Sequence, residues 1–273
     1  MRRTVRGAGA LVAAGALVIG LGACSDGDDD DAATGSDGSE ALAADGGGDT
    51  AAFCSAATDV DKVSLGLEAG ESTPEDMEAA MEAALDAAPT AITGQVTTLV
   101  DESKAMMAAE ENADPEGPPP LPNEAYMAAA EDVGAYMSAE CGYGTLDVET
   151  QNYAYTGIPD EVPAGTTVIN VSNDATEIHE LVLVKIADGE TRSLEELMAL
   201  PEEESDQLVT EKGLVFAMPG GTNFVTAELD PGRYVALCFV PVGATPEALA
   251  SGTPLDDSQA HYMHGMVQEF TVS

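Results

Sequence analysis

The sequence predicts an α+β chain of two units, a small helical bundle followed by an all-β sandwich or Greek-key barrel. Apolar residues recur at helical spacing up to about residue 141 and every second residue after Gly144, where Gly, Pro, Asn or Asp bounds most of the runs. Size agrees, since 273 residues that are 44% hydrophobic are enough for a real core.

Residues 1–23, MRRTVRGAGALVAAGALVIGLGA, carry Arg2, Arg3 and Arg6 ahead of a short apolar run that ends in small side chains. The run is too short for a membrane span and reads as a secretory signal. Leu21, Gly22, Ala23 and Cys24 resemble the lipobox of bacterial lipoproteins. That resemblance implies loss of the leader, a diacylglycerol on the Cys24 thiol, and a chain anchored to the cell membrane on its extracytoplasmic face. Residues 24–50 are rich in Asp, Gly, Ser and Ala, with almost no large apolar side chain. Such a stretch buries too little surface to offset chain entropy and is expected to be a disordered acidic tether.

The formal charge is -41, and losing the three leader arginines takes it to -44. Repulsion at that charge argues against nucleic acid or an anionic lipid surface as a direct partner.

The bundle is expected over residues 51–144. Its first helix runs from about residue 51 to 68. In PEDMEAAMEAALDAA, Thr73 is the N-cap, Pro74 takes the first helical position, and Met77, Met81 and Leu85 lie four apart on one face. AITGQVTTLVDESKAMMAAEENA and PNEAYMAAAEDVGAYMSAEC continue the pattern on either side of DPEGPPPLP, which no helix can cross. About four helices result. Their methionines read as core filler, since Met packs irregular gaps well.

The second unit covers residues 145–273, with the boundary near 142–150. Seven short runs, NYAYTGI, TTVINVSN, HELVLVKI, GLVFAMPG, NFVTAEL, RYVALCFV and MVQEFTV, are rich in Val, Thr, Tyr and Phe and read as strands. SLEELMALPEEESDQLVTEK reads as a helical, acidic decoration of a loop, and pairs such as Glu202 and Glu204 as a solvated charge run.

Cys24, Cys54, Cys141 and Cys238 are the four cysteines. An exported chain permits disulfides. Cys54 and Cys141 bracket the bundle, and an up-and-down arrangement of four helices puts both at one pole, so their pairing is preferred. With Cys24 lipidated, Cys238 has no partner, which suits a buried thiol or a metal ligand.

The β unit holds His179, Cys238, His261, Met263, His264 and Met266. One thiolate, two imidazoles and a thioether suit copper: Cys and Met favour Cu(I), imidazole accepts Cu(II), and a trigonal two-His, one-Cys set with a weak Met serves both. Zinc would accept the same thiolate and imidazoles but gains little from a thioether. Each residue alone is ordinary: a core histidine, a buried thiol, a core methionine.

From about Tyr153 to Val272 the order of these residues resembles the blue-copper cupredoxin family, carried by VPAGTTVINVSNDATEIHELVLV, PGRYVALCFVP and HYMHGMVQEFTV. The resemblance implies a Greek-key cupredoxin-like sandwich with His179, Cys238, His261 and Met266 as ligands of one copper ion. His261 is preferred to His264 because its five-residue step to Met266 copies a plastocyanin-like spacing. One departure is large: 22 residues separate Cys238 from His261, where electron-transfer members have only a few. Closing a longer loop costs little extra entropy, so the ligands can still meet.

Three functions follow from these residues: an anchored carrier of single electrons with a redox protein partner, a lipoprotein that holds or delivers copper through Met263 and His264 to an exchange partner, and a copper-free binding module in which the bundle makes the contacts. No enzyme is expected, since the chain has no second copper cluster, glycine-rich phosphate loop or nucleophile elbow.

Overall fold

The computed structural model describes residues 49–112, 120–256 and 259–273. The leader, Cys24 and nearly all of the tether lie outside them. Four helices open the described chain: α1 (Thr50–Ala69), α2 (Pro74–Ala87), α3 (Thr93–Glu111) and α4 (Glu124–Glu140). Asp49 caps α1, a Thr73–Asp76 capping box opens α2 and Asn123 caps α4, so side-chain oxygens satisfy amides that the first turns leave free.

Cys54 and Cys141 form a disulfide that ties the start of α1 to the end of α4, with Cα atoms 5.6 Å apart. It closes 87 residues of chain. Replacing both with serine should lower stability by about 4 kcal/mol, most of it through the unfolded state. A denaturant titration of the double variant checks this, and an unchanged midpoint would show that helix packing suffices alone.

The bundle does not complete its own core. Phe53, Met77, Met81, Val96, Val100, Val133 and Met137 pack together with Val168 and Phe224, which belong to strands. Gly134 explains how closely α4 sits: a Cβ there would come within 3.1 Å of Asn170 and Phe224 atoms. A glycine costs about 1 kcal/mol inside a helix, which the close approach offsets.

Nine strands follow among the described residues: β1 (Gly144–Gln151), β2 (Ala154–Thr156), β3 (Glu161–Val162), β4 (Gly165–Asn173), β5 (His179–Ile186), β6 (Val209–Ala217), β7 (Thr222–Leu229), β8 (Gly232–Leu237) and β9 (Val267–Val272). They form two sheets in the orders β2-β1-β4-β7 and β3-β9-β8-β5-β6, in which β1–β4 and β3–β9 are parallel and the other pairs antiparallel. Val148, Ile169, Val171 and Val225 of the first sheet meet Leu181, Leu183, Tyr234 and Phe270 of the second in one core.

Two strands exceed the seven expected. β1 falls in the stretch expected to be a boundary; Leu146, Val148 and Thr150 point inward while Asp147 and Glu149 face outward, as strand geometry requires. β3 is only two residues long. The acidic stretch is also helical only in part. α5 (Leu194–Met198) and α6 (Glu202–Asp206) are short helices, but Val209 to Lys212 belong to β6, where the β-branched Val209 and Thr210 pair with Ile186 and Lys185. Leu197 of α5 is buried against Val182, Val184, Ile186 and Val235. β5 is therefore covered on both faces, which is why HELVLVKI is apolar almost without alternation.

Between bundle and sheet lies a cavity of about 130 Å³ lined by Phe53, Val60, Asp61, Val96, Tyr126 and Phe224. Asp61 of α1 accepts bonds from the Thr226 backbone N–H at 2.8 Å and from its hydroxyl, covering an open amide on the edge strand β7. Burial pushes the Asp61 carboxyl up from 3.8 to about 6, with the Thr226 bonds only partly opposing it. The folded state therefore binds this proton more tightly than the unfolded chain. Its contribution is greatest below pH 4, falls as pH rises from about 4 to 6, and is lost above that. Asp61→Asn, which keeps an acceptor oxygen without the charge, should stabilise the protein at pH 7.5 by up to about 3 kcal/mol and give no gain at pH 4. Denaturant midpoints at the two pH values check the sign.

Candidate metal centre

Three strands bring their ends to one place. β5 begins with His179, Cys238 follows the last residue of β8, and Met266 precedes the first residue of β9. Because β8 pairs antiparallel with both β5 and β9, these three positions lie at the same end of the second sheet.

His261 joins them despite the 22 intervening residues. The connection is clamped at its base: Pro241 and Ala260 form an antiparallel bridge, and the N–H groups of Val242, His261 and Tyr262 donate to the carbonyls of Gln259, Val240 and Cys238. The residues beyond the clamp, which include the short helix α7 (Pro246–Ala250), form an excursion with closed ends. His261 to His264 then make one 3₁₀ turn, which Gly265 ends at φ 108°, a conformation that favours glycine. The Met266 N–H donates to the His261 carbonyl, and the Cys238 N–H to the Met266 carbonyl.

The side chains converge. The Nδ1 atoms of His179 and His261 are 3.0 Å apart, Cys238 Sγ is 3.3 Å from His261 Nδ1, and one donor atom of each residue lies within 4.8 Å of the others. All three residues and Met266 have 0% exposure, and Met266 shares the core cluster of Cys238. His264 stays outside: it is exposed, and its Nε2 meets Gln259 Oε1 at 3.3 Å. Met263 is 55% exposed.

Burial sets the charge state of the donors. It lowers His179 to about 4, with His261 adding to the effect, and it lowers His261 despite an opposing Glu177. Both imidazoles are neutral at neutral pH and have lone pairs to give. Burial raises the Cys238 thiol well above its ordinary value, and Glu180 adds to this, while the N–H groups of Glu180 and Val240 point at the sulfur and oppose it. Glu180 also holds the Phe239 N–H at 2.7 Å, fixing the backbone just past the cysteine.

This donor set fits a soft or borderline metal ion. Bonds of about 2.0–2.3 Å to one ion hold neighbouring ligand atoms roughly 3–4 Å apart, a range that contains the 3.0 and 3.3 Å spacings made by His261. His179 Nε2 has no hydrogen-bond partner, so the ring is held by packing and by what its Nδ1 meets.

Two residues here had no signal in the sequence. Glu177 contacts His261 Nε2 at 3.0 Å, and the Tyr153 ring lies 4.8 Å from that of His261 and 5.5 Å from that of His264. Tyr153 was expected within a strand but occupies the turn between β1 and β2.

No protein-family model and no curated protein matches the chain. Solved structures similar to it include an auracyanin from the photosynthetic bacterium Roseiflexus castenholzii, at 22% identity and a TM-score of 0.30, covering 48% of this chain and 99% of that one. Auracyanin A, a "blue" copper protein from Chloroflexus aurantiacus, gives 21% identity and 0.28 over 48% of this chain and 100% of that one. Reduced rusticyanin gives 15% and 0.25 over 47% and 78%.

Proposed function

We propose that the β unit is a Greek-key cupredoxin-like sandwich that binds one copper ion through His179, Cys238, His261 and Met266 and passes single electrons while a lipid on Cys24 holds it outside the cell membrane. The observation that carries the copper reading is the convergence of two neutral imidazoles and one thiol, each fully buried, within 4.8 Å. Copper would supply the one-electron couple, and a His₂Cys set with a weak thioether suits both of its oxidation states.

The chain's own contribution is rigidity. Strand ends fix His179 and Cys238, the clamp fixes His261, and full burial keeps water from competing for the donors. Little rearrangement between oxidation states makes electron transfer fast. Cu(II) titration of the chain from Ser25 onward, followed by absorption and electron paramagnetic resonance, tests this: an intense thiolate-to-copper band should saturate at one equivalent. No visible band, with a Cys238 thiol that still titrates after unfolding, would remove the electron-transfer reading.

A second reading, that the protein holds or delivers copper, has one observation of its own: Met263 and His264 are exposed next to the buried donors, where they could receive an ion from a partner. Rapid Cu(I) transfer to a chelator, slowed by replacing both residues, would favour it.

A further inference from the structure

Glu177 sits two residues before β5, in the loop that delivers His179. Its backbone carbonyl accepts from Asn173 Nδ2 at 2.8 Å, which anchors the loop to the end of β4. Its carboxylate then meets three separate segments. Oε2 accepts from the Gly243 N–H at 2.6 Å and from His261 Nε2 at 3.0 Å, and Oε1 accepts from the Tyr153 hydroxyl at 3.0 Å.

A carboxylate only accepts, so the hydrogen between Glu177 and His261 belongs to Nε2. The other ring nitrogen of the neutral imidazole is then a bare acceptor, and it is Nδ1 that faces His179 Nδ1 and Cys238 Sγ. Tyr153 closes this arrangement from outside. Its ring lies on His261, its hydroxyl is held by Glu177, and it is the one non-glycine residue with positive φ among the described residues, at 62°. A left-handed tyrosine is uncommon, and such conformations concentrate where the surroundings hold a residue for a purpose.

We propose that Glu177 is a positioning residue that fixes His261 in the Nε2–H tautomer, strengthens Nδ1 as a donor, and thereby biases the centre toward the more highly charged oxidation state. The potential part rests on the copper reading; the tautomer part does not. A carboxylate behind a ligating histidine orients the ring and raises its basicity, and removing such a partner typically costs 10–100-fold in metal affinity. A stronger donor stabilises Cu(II) more than Cu(I), so the bias should appear in the ratio of the two affinities.

Two variants of the full mature chain separate charge from geometry. Glu177→Gln keeps a carbonyl acceptor for His261 and loses the charge, whereas Glu177→Ala loses both. In the metal-free protein, long-range proton–nitrogen NMR should show His261 Nε2–H in the wild type and in Glu177→Gln, and a tautomer mixture in Glu177→Ala. In the copper-loaded protein the Cu(II):Cu(I) affinity ratio should fall about tenfold in Glu177→Gln, a rise in potential of about 59 mV for one electron.

An unchanged tautomer in Glu177→Ala overturns the positioning role. An unchanged ratio in Glu177→Gln, with the thiolate band intact, overturns the bias toward Cu(II). A wild type that takes no copper at the thiolate would sink the copper reading and the potential with it, and the tautomer measurement would still decide the positioning role.

Discussion

Cys238→Ser is expected to abolish the thiolate-to-copper band and to weaken Cu(II) binding at least 100-fold while the fold survives. The sulfur is fully buried and faces His261 Nδ1, so no outside group can take its place. Serine is close in size and can still accept the Glu180 N–H that now points at the sulfur. Its hydroxyl does not ionise near neutral pH, however, and gives the ion neither the charge nor the softness of a thiolate. Circular dichroism should be unchanged and isothermal titration should lose its stoichiometric step. If one equivalent of copper still bound tightly, the ion would be held by the His/Met loop, His261 to Met266, without the thiolate.

His261→Ala against His264→Ala is the second large contrast. The sequence offered both histidines within one short loop, and spacing alone preferred the first. In the structure His261 is wholly buried with Nδ1 on the thiol, whereas His264 is exposed and pairs with Gln259. His261→Ala should therefore cost about 100-fold in Cu(II) affinity and bleach the band, and His264→Ala should leave both within about twofold. Equal losses in the two variants would mean that the loop rearranges to place both imidazoles on the ion. An effect of His264→Ala confined to the rate of Cu(I) transfer would instead favour the delivery reading.

How much of this was legible follows from what each residue depends on. The helix start at Thr73 depends on neighbours within a turn, and that cap could be read from the chain. The disulfide followed from where a four-helix path must return. His179, Cys238 and Met266 were picked out because their order along the chain resembles a blue-copper pattern, and the structure sets them at three strand ends. β1 was missed because its outward Asp147 and Glu149 make it look like a polar connection, and only its pairing with β4 shows it to be a strand. Glu177 and Tyr153 could not have been found: Glu177 reaches His261 across 84 residues of sequence, and Tyr153 reaches Glu177 across 24. The long gap before His261 was the large departure from the family pattern, and the bridge between Pro241 and Ala260, which closes the excursion before it reaches the donors, could not be read from the chain.

The sharing of Val168 and Phe224 between the helical core and the sheet has a consequence for how such a chain can change over time. Change of pattern at residue 144 suggests a seam at which modules are exchanged, yet the helices lend the sheet an inner wall and receive one from it. Neither half could be traded for an unrelated neighbour without leaving oily surface in water, so a graft of either one would have to bring a matching wall with it.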